Sequence, residues 1–316
     1  MPLPRPMRQL AEGALTVLES TRDSLDHLRF GAPSDQAVGP RVRGTNRQAQ
    51  LTKDYHRIEK GLTFAAPKRP FGDVVRRRLT DLAGTGPADP LTAEGGPVPT
   101  AIAALEDWNS RGVVDSQVAP EGPVMKPLPT ESSDALFYNR HSIRNFDPAR
   151  AVDVSTIRQA LDYARHTPSV CNRQAAKAWL FDERSVIDRV LKIQGGSRGF
   201  AETIPNIAVI TVERGLFAGP GERNQRWIDG GLFAMSLVWA FQSLGVGTCM
   251  LNWSKRHRHT AALRNLVGIP DSEDVICVVA FGYPPETGYR VARSPRRALD
   301  EVATGLPSAD GSSTAE

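Results

Sequence analysis

NIAVITVE (Asn206–Glu213), WIDGGLFAMSLVWAFQSLGVG (Trp227–Gly247) and DVICVVAFGYP (Asp274–Pro284) decide the fold. The outer two are short runs rich in β-branched residues, the pattern of strands covered on both faces. The middle one is apolar nearly all round, which suits a helix only at the centre of a structure, and Gly245 supplies its stop. Outward from it, AKAWLFD (Ala176–Asp182) reads as another strand. Asp153 or Ser155 can cap a helix through Ile157, Leu161 and Ala164 that Pro168 stops, and TAALRNLVGIP is a short helix ended by Gly268 and Pro270. The order is helix, strand, helix, strand, long helix, strand, helix, strand. That alternation predicts an α+β layer structure with one sheet covered by helices.

The first part of the chain has a different character. Residues 1 to about 29 read as a helix with Leu10, Ala14, Val17, Leu18, Leu25 and Leu28 on a broad face. Gly31 to Thr45 is a loop or linker, and a second helical zone runs from about Gln48 through DYHRIEKGL to Gly84. A Pro/Gly loop precedes the short helix AIAALEDWNSRG, which ends at Gly112. The expected organisation is a mainly helical extension over 1–130, a main body over 131–304 and a disordered tail over 305–316.

Composition narrows the class. The 316 residues are 40% hydrophobic and 23% charged, ample for a packed core. Lys and Arg number 39 against 35 Asp and Glu, too mild an excess for a nucleic-acid partner, and the Arg76–Arg78 run reads as a solvated helix face. No apolar run approaches the ~18 residues of a membrane span, and the first residues lack a secretory pattern, so neither membrane nor export is expected. The three cysteines, Cys171, Cys249 and Cys277, show no CxxC spacing, which argues against a zinc site or a disulfide framework and for a cytoplasmic protein. No metal is expected; His56 and Glu59 read as a helix face.

Four segments carry chemistry. In RHSIRNF (Arg140–Phe146), Arg140, Ser142 and Arg144 share one side of an extended chain while His141 and Ile143 take the other, and two guanidiniums with a hydroxyl suit a phosphate dianion. In HTPSVCNRQ (His166–Gln174), a Pro168-Ser169 turn presents Asn172 and Gln174, whose amides can donate and accept at once, matching the pyrimidine edge of a flavin. In LGVGTCMLNW (Leu244–Trp253), Gly245 and Gly247 permit close backbone approach, and a backbone N–H at the end of the run could serve an atom gaining electron density. RVARSPRRALDEV places Arg290, Arg293, Arg296 and Arg297 after the last strand, able to return to the phosphate. Each alone also fits an ordinary loop.

In this order and spacing the four segments resemble the nitroreductase family of FMN-dependent oxidoreductases, over about residues 133 to 304. The Arg-x-Ser-x-basic motif is matched by Arg140, Ser142 and Arg144, and the Pro-Ser-x-x-Asn-x-Gln motif by Pro168, Ser169, Asn172 and Gln174. The glycine-rich turn after the long helix and the ending from Ile269 to Pro284 also match. The resemblance implies a nitroreductase-like fold, a central mixed or antiparallel sheet covered by helices, in an intertwined homodimer. FMN would lie at the dimer interface, its phosphate on Arg140 and Arg144 with Arg293 and Arg296 returning to it. His141, Ser142, Pro168, Ser169, Asn172, Gln174, Met250, Leu251 and Asn252 complete the expected cofactor-binding set. Hydride would pass from NAD(P)H through flavin N5 to a small organic acceptor by ping-pong turnover, with no obligatory acid or base side chain.

The chain also departs from the family. A Glu-Gly pair common after the glycine-rich turn is replaced by Asn252 and Trp253, which leaves the N–H facing flavin N5 open among Met250 to Asn252. Trp253 could shape a substrate pocket or fill the core. The long helical insertion that lids the flavin in several subgroups is missing, and the first 130 residues could provide that cover. DYHRIEKGL resembles a segment of a nitroreductase-like branch found beside polysaccharide-biosynthesis proteins. The alternative reading is therefore a flavin-binding or flavin-lost interaction protein docking to such a biosynthetic partner.

Overall fold

The computed structural model describes residues 5–39, 42 and 44–305. The tail expectation therefore lies almost wholly outside the described residues, as does the start of the first helix. Four helices come first: α1 (Arg5–Phe30), α2 (Gly44–Leu62), α3 (Asp73–Gly84) and α4 (Pro97–Arg111). There follow α5 (Thr130–Phe137), α6 (Val154–Ala164), β1 (Ala176–Phe181), α7 (Arg184–Gln194), β2 (Asn206–Glu213), α8 (Gln225–Ser243), β3 (Gly247–Asn252), α9 (His257–Val267), β4 (Glu273–Gly282) and the short α10 (Leu299–Val302). Among the described residues, no helix is long and apolar enough to cross a membrane.

The strands form one sheet in the order β1-β2-β4-β3, and every pair is antiparallel. Among the described residues, parallel pairing is confined to the isolated bridges Ala32–Ala218 and Ser142–Thr248, so the four strands themselves show the antiparallel form of the expected sheet. Both faces are covered. Ile207 and Val209 of β2 meet Ile187, Val190 and Leu191 of α7 and Leu263 of α9, whereas Ala208 and Ile210 meet Ala234, Leu237 and Phe241 of α8 and Ala160 of α6. This period-two division explains why the strand sequence shows no polar face. α8 lies close on the sheet because Gly230 has no side chain; a Cβ there would stand 2.6 Å from Ile276. Asp153 is the cap of α6, accepting from Thr156 N at 2.8 Å.

The helical zone over 48–84 is two helices, because the intervening FAAPKRPFG carries two prolines that deny the helix its donors. α2, α3 and α4 enclose their own core of Leu51, Ile58, Leu79 and Leu105. Asp54, fully buried, holds this group together by accepting from Arg78 Nε at 2.6 Å and Arg57 Nη1 at 2.9 Å. Arg78 is thus an ion-pair partner of a buried carboxylate rather than part of a solvated face, whereas Arg77 pairs locally with Asp73, and Arg76 with Asp73 and, at 3.7 Å, with Glu106 of α4. α1 inverts the expectation for its apolar side. Leu10, Val17, Leu25 and Leu28 face outward, and its polar side docks onto the body: Asp23 pairs with Arg226 at 2.5 Å, Asp26 with Arg214 at 2.7 Å, and Glu19 accepts from His257 N at 2.8 Å.

Candidate functional site

Arg140–Phe146 runs along the free edge of β3. Ile143 N donates to the Thr248 carbonyl at 2.8 Å, and Ile143 and Phe146 are buried among the residues beneath α7 and α9. Gly247 makes this approach possible, since a Cβ there would lie 2.7 Å from Ile143 Cγ1. Arg140, His141 and Ser142 remain half-buried and Arg144 exposed, and no carboxylate pairs with either arginine among the described residues. His141 Nδ1 lies 3.0 Å from the Asn139 carbonyl. Burial pushes the Cys249 thiol up, against a pull down from the Arg144 charge and a hydrogen bond with Ser142.

Because Thr248 turns its carbonyl to Ile143, the alternation of an antiparallel strand turns the backbone groups of Met250 and Asn252 to the same free edge and those of Leu251 to β4. Gln194 Nε2 donates to the Asn252 carbonyl at 3.0 Å, in keeping with that orientation. The Met250 and Asn252 side chains are exposed, while Leu251 is buried. Trp253 donates to Thr260 Oγ1 at 2.9 Å and packs partly against the core.

Pro168–Gln174 leads into β1 at the other edge of the sheet. Cys171, Asn172 and Gln174 have φ of 48°, 53° and 49°, in the left-handed region that Asn tolerates but Cys and Gln rarely adopt. Strain of this kind persists only where surrounding bonds hold it. Here Val170 N donates to Asp229 Oδ2 at 3.1 Å, Gln174 N to Ser169 Oγ at 3.0 Å, and Arg173 to the Val170 carbonyl at 3.1 Å and Glu222 Oε2 at 2.8 Å. α2 packs against the same turn. Pro168 and Gln174 are exposed, Ser169 and Asn172 half-buried, and Pro168, Ser169, Gln174 and Asp229 line a small cavity of about 120 Å³. Asp229, Arg173 and Glu222 escaped the sequence reading. Asp229 left one signal, as the single carboxylate in the apolar run from Trp227 to Gly247.

One chain does not bring the two segments together. β1 and β3 are the two edges of a four-stranded sheet, three strand spacings or roughly 14 Å apart. Thr248 sits in register with Phe281 and through it with Asn206, whereas Ala176 is in register with Val212 and Asp274 at the other end. The segments occupy diagonally opposed corners. Arg293 and Arg296 lie in an exposed stretch after β4; Arg296 bonds the Ser294 carbonyl, and neither side chain is tied to Arg140 or Arg144. His56 Nδ1 lies 3.1 Å from Glu59 Oε2, and among the described residues no group of three or more His, Cys, Asp or Glu side chains is placed to hold a metal.

An antiparallel sheet sandwiched by helices, with an arginine-serine segment on one edge and a strained amide loop on the other, defines an α+β protein of the class the motifs anticipate. The family that matches is described as "Nitroreductase family", over residues 138–197 and 191–283. A protein of Archaeoglobus fulgidus named "Putative NADH dehydrogenase/NAD(P)H nitroreductase" is 30% identical over 156 residues, 48% of this chain and 84% of that protein. Solved structures with similarity include an FMN-dependent nitroreductase of Clostridium difficile R20291 (20% identity, 51% of this chain and 92% of that chain, TM-score 0.43). Another is NfrA2 of B. megaterium (14% identity, 55% of this chain and 74% of that chain, TM-score 0.48). The chain belongs to the nitroreductase family.

Proposed function

We propose that this chain is an FMN-dependent oxidoreductase that moves hydride from NAD(P)H to a small organic acceptor, working as a homodimer in which each FMN is held by residues of both copies. As a member of the nitroreductase family it is an NAD(P)H oxidoreductase. The observation that carries the finer reading is the diagonal placement of the two motif segments, each incomplete alone. Two-fold pairing is self-complementary, a point i of one copy meeting a point j of the second while j meets i, so opposed corners of one chain can each meet the other corner of a second copy across an interface. α8 offers a surface for that pairing: its apolar side chains Trp227, Ile228 and Leu232 are 42%, 53% and 44% exposed.

The residues suit the cofactor. Arg140 and Arg144 are cations without a carboxylate partner among the described residues, beside the Ser142 hydroxyl, as a phosphate dianion requires. Asn172 and Gln174 present amides from a loop whose strained backbone is pinned by Asp229. When bound, FMN supplies the two-electron chemistry that links NAD(P)H to the acceptor. The outward-facing N–H groups of Met250 and Asn252 narrow the candidate donors to the ring, and Arg140 and Arg144 neutralise the phosphate. Arg293 and Arg296, which have no carboxylate partner among the described residues, would close over that phosphate.

The purified protein should be yellow, release a compound with the mass of FMN, and bleach on addition of NADPH or NADH. R140A/R144A should stay folded and lose the cofactor. A colourless protein that takes up no added FMN would contradict the reading.

A further inference from the structure

α1 and α9 enclose a second polar site, away from both motif segments. A cavity of about 270 Å³ is lined by Arg22, Arg29, Asp26, His257, Arg264 and Asp271, with Leu25 as its one apolar side chain. An adjoining cavity of about 390 Å³ shares four of these and reaches Trp253, the residue after Asn252. The acids are largely committed or remote. Asp26 pairs with Arg214 at 2.7 Å, and Asp271, a surface side chain, stands 3.8 Å from Arg264 Nη1. Arg22 and Arg29 have no carboxylate partner among the described residues.

Arg264 is the telling residue. It is 5% exposed, its Nη2 donates to the Glu273 carbonyl, and its Nε has no hydrogen-bond partner among the described residues. A buried guanidinium donor left unpaired is costly, and such donors in native proteins normally have a partner. Burial, then the charge of Arg214, pulls the Arg264 pKa below its ordinary value. An anion seated here would offset both effects.

We propose that the cavity between α1 and α9 is a phosphate-binding site, in which Arg22 and Arg29 of α1 close over an anion that Arg264 meets from below. Three guanidiniums match the oxygen count of a terminal phosphate, which paired N–H donors hold better than any single charge. The phosphate can come free or as part of a nucleotide. The site is independent of the FMN reading, because none of its residues belongs to either motif segment.

Calorimetric titration of the full chain with inorganic phosphate, at constant ionic strength, should show one saturable site per chain. R22S/R29S, both changes at exposed positions, should weaken it by roughly tenfold or more. The same variant should keep the wild-type melting temperature and flavin absorbance, and R22S alone should show a smaller loss. R140A/R144A should bind phosphate at this site as the wild type does, so failure of the FMN reading would register separately, in the flavin absorbance. Titration with 2′,5′-ADP and 5′-ADP identifies the source: tighter binding of the former than of phosphate assigns a nucleotide 2′-phosphate, and no advantage for either assigns free phosphate. The proposal is overturned if the wild type shows no saturable phosphate binding, if R22S/R29S titrates like the wild type, or if only R140A/R144A abolishes binding.

Discussion

Arg226 of α8 meets Asp23 of α1 at 2.5 Å, joining the central helix to the first helix of the chain. The same guanidinium lies 2.7 Å from Asp274 at the start of β4, and Asp274 also pairs with Arg214 at 2.5 Å. Both arginines are buried, and burial is outweighed at Arg214 by Asp274 and then Asp26, so its pKa is raised. Asp274→Ala leaves two buried cations short of a partner and should cost about 3–5 kcal/mol of unfolding free energy. Asp23→Ala removes a half-exposed carboxylate and should cost about 1 kcal/mol or less. Denaturant melts of the two variants check the order, and equal losses would show that Asp274 is not the centre of the network.

Asp229 is a positioning residue for the strained loop, through its bond to Val170 N. Asp229→Ala should weaken FMN affinity, measured by flavin fluorescence, and lower stability by about 1 kcal/mol, the net worth of a hydrogen bond to a part-buried donor. Asp229→Asn keeps an oxygen acceptor and should restore most of the FMN affinity. A merely structural role would move stability in both variants while leaving FMN affinity unchanged.

Acid should loosen the N-terminal helices at Asp35. Its carboxylate is held at about 2, below 3.8, because burial, which opposes the shift, is outweighed by hydrogen bonds from Lys53 and Arg57. Those partners stand at 2.6 and 2.5 Å. A depressed carboxylate contributes stability that is present above its unfolded value and lost as pH falls through the folded one. The loss should therefore fall between pH 3.8 and about 2. Thermal melts across that window should show a steeper decline for the wild type than for Asp35→Asn; parallel curves would remove Asp35 from the acid response.

The strands and α8 were legible because burial on both faces strips a segment of polar residues, and that is visible in NIAVITVE and DVICVVAFGYP without any neighbour. The caps at Asp153 and the stop near Gly245 were legible because they act locally. Arg78 was not, since its buried partner Asp54 lies on another helix and nothing in the RRR run separates this half-buried guanidinium from its neighbours. α1 misled for a related reason. Its leucines follow a helical period, but the face that docks is set by Asp23, Asp26 and Glu19, whose partners are distant in sequence. At the candidate site the motif residues could be named, while their division between two edges of the sheet depends on strand order, which sequence alone left open.

The shared site is tested most directly by mixing two inactive variants. R140A/R144A lacks one segment and N172L the other. After co-refolding in equal amounts, random pairing puts half of the chains in mixed dimers, each with one intact and one doubly defective site, so NADPH-dependent acceptor reduction should return to about a quarter of the wild-type rate. A mixture no more active than either variant alone, with FMN still bound by the wild type, would contradict a site built from two chains.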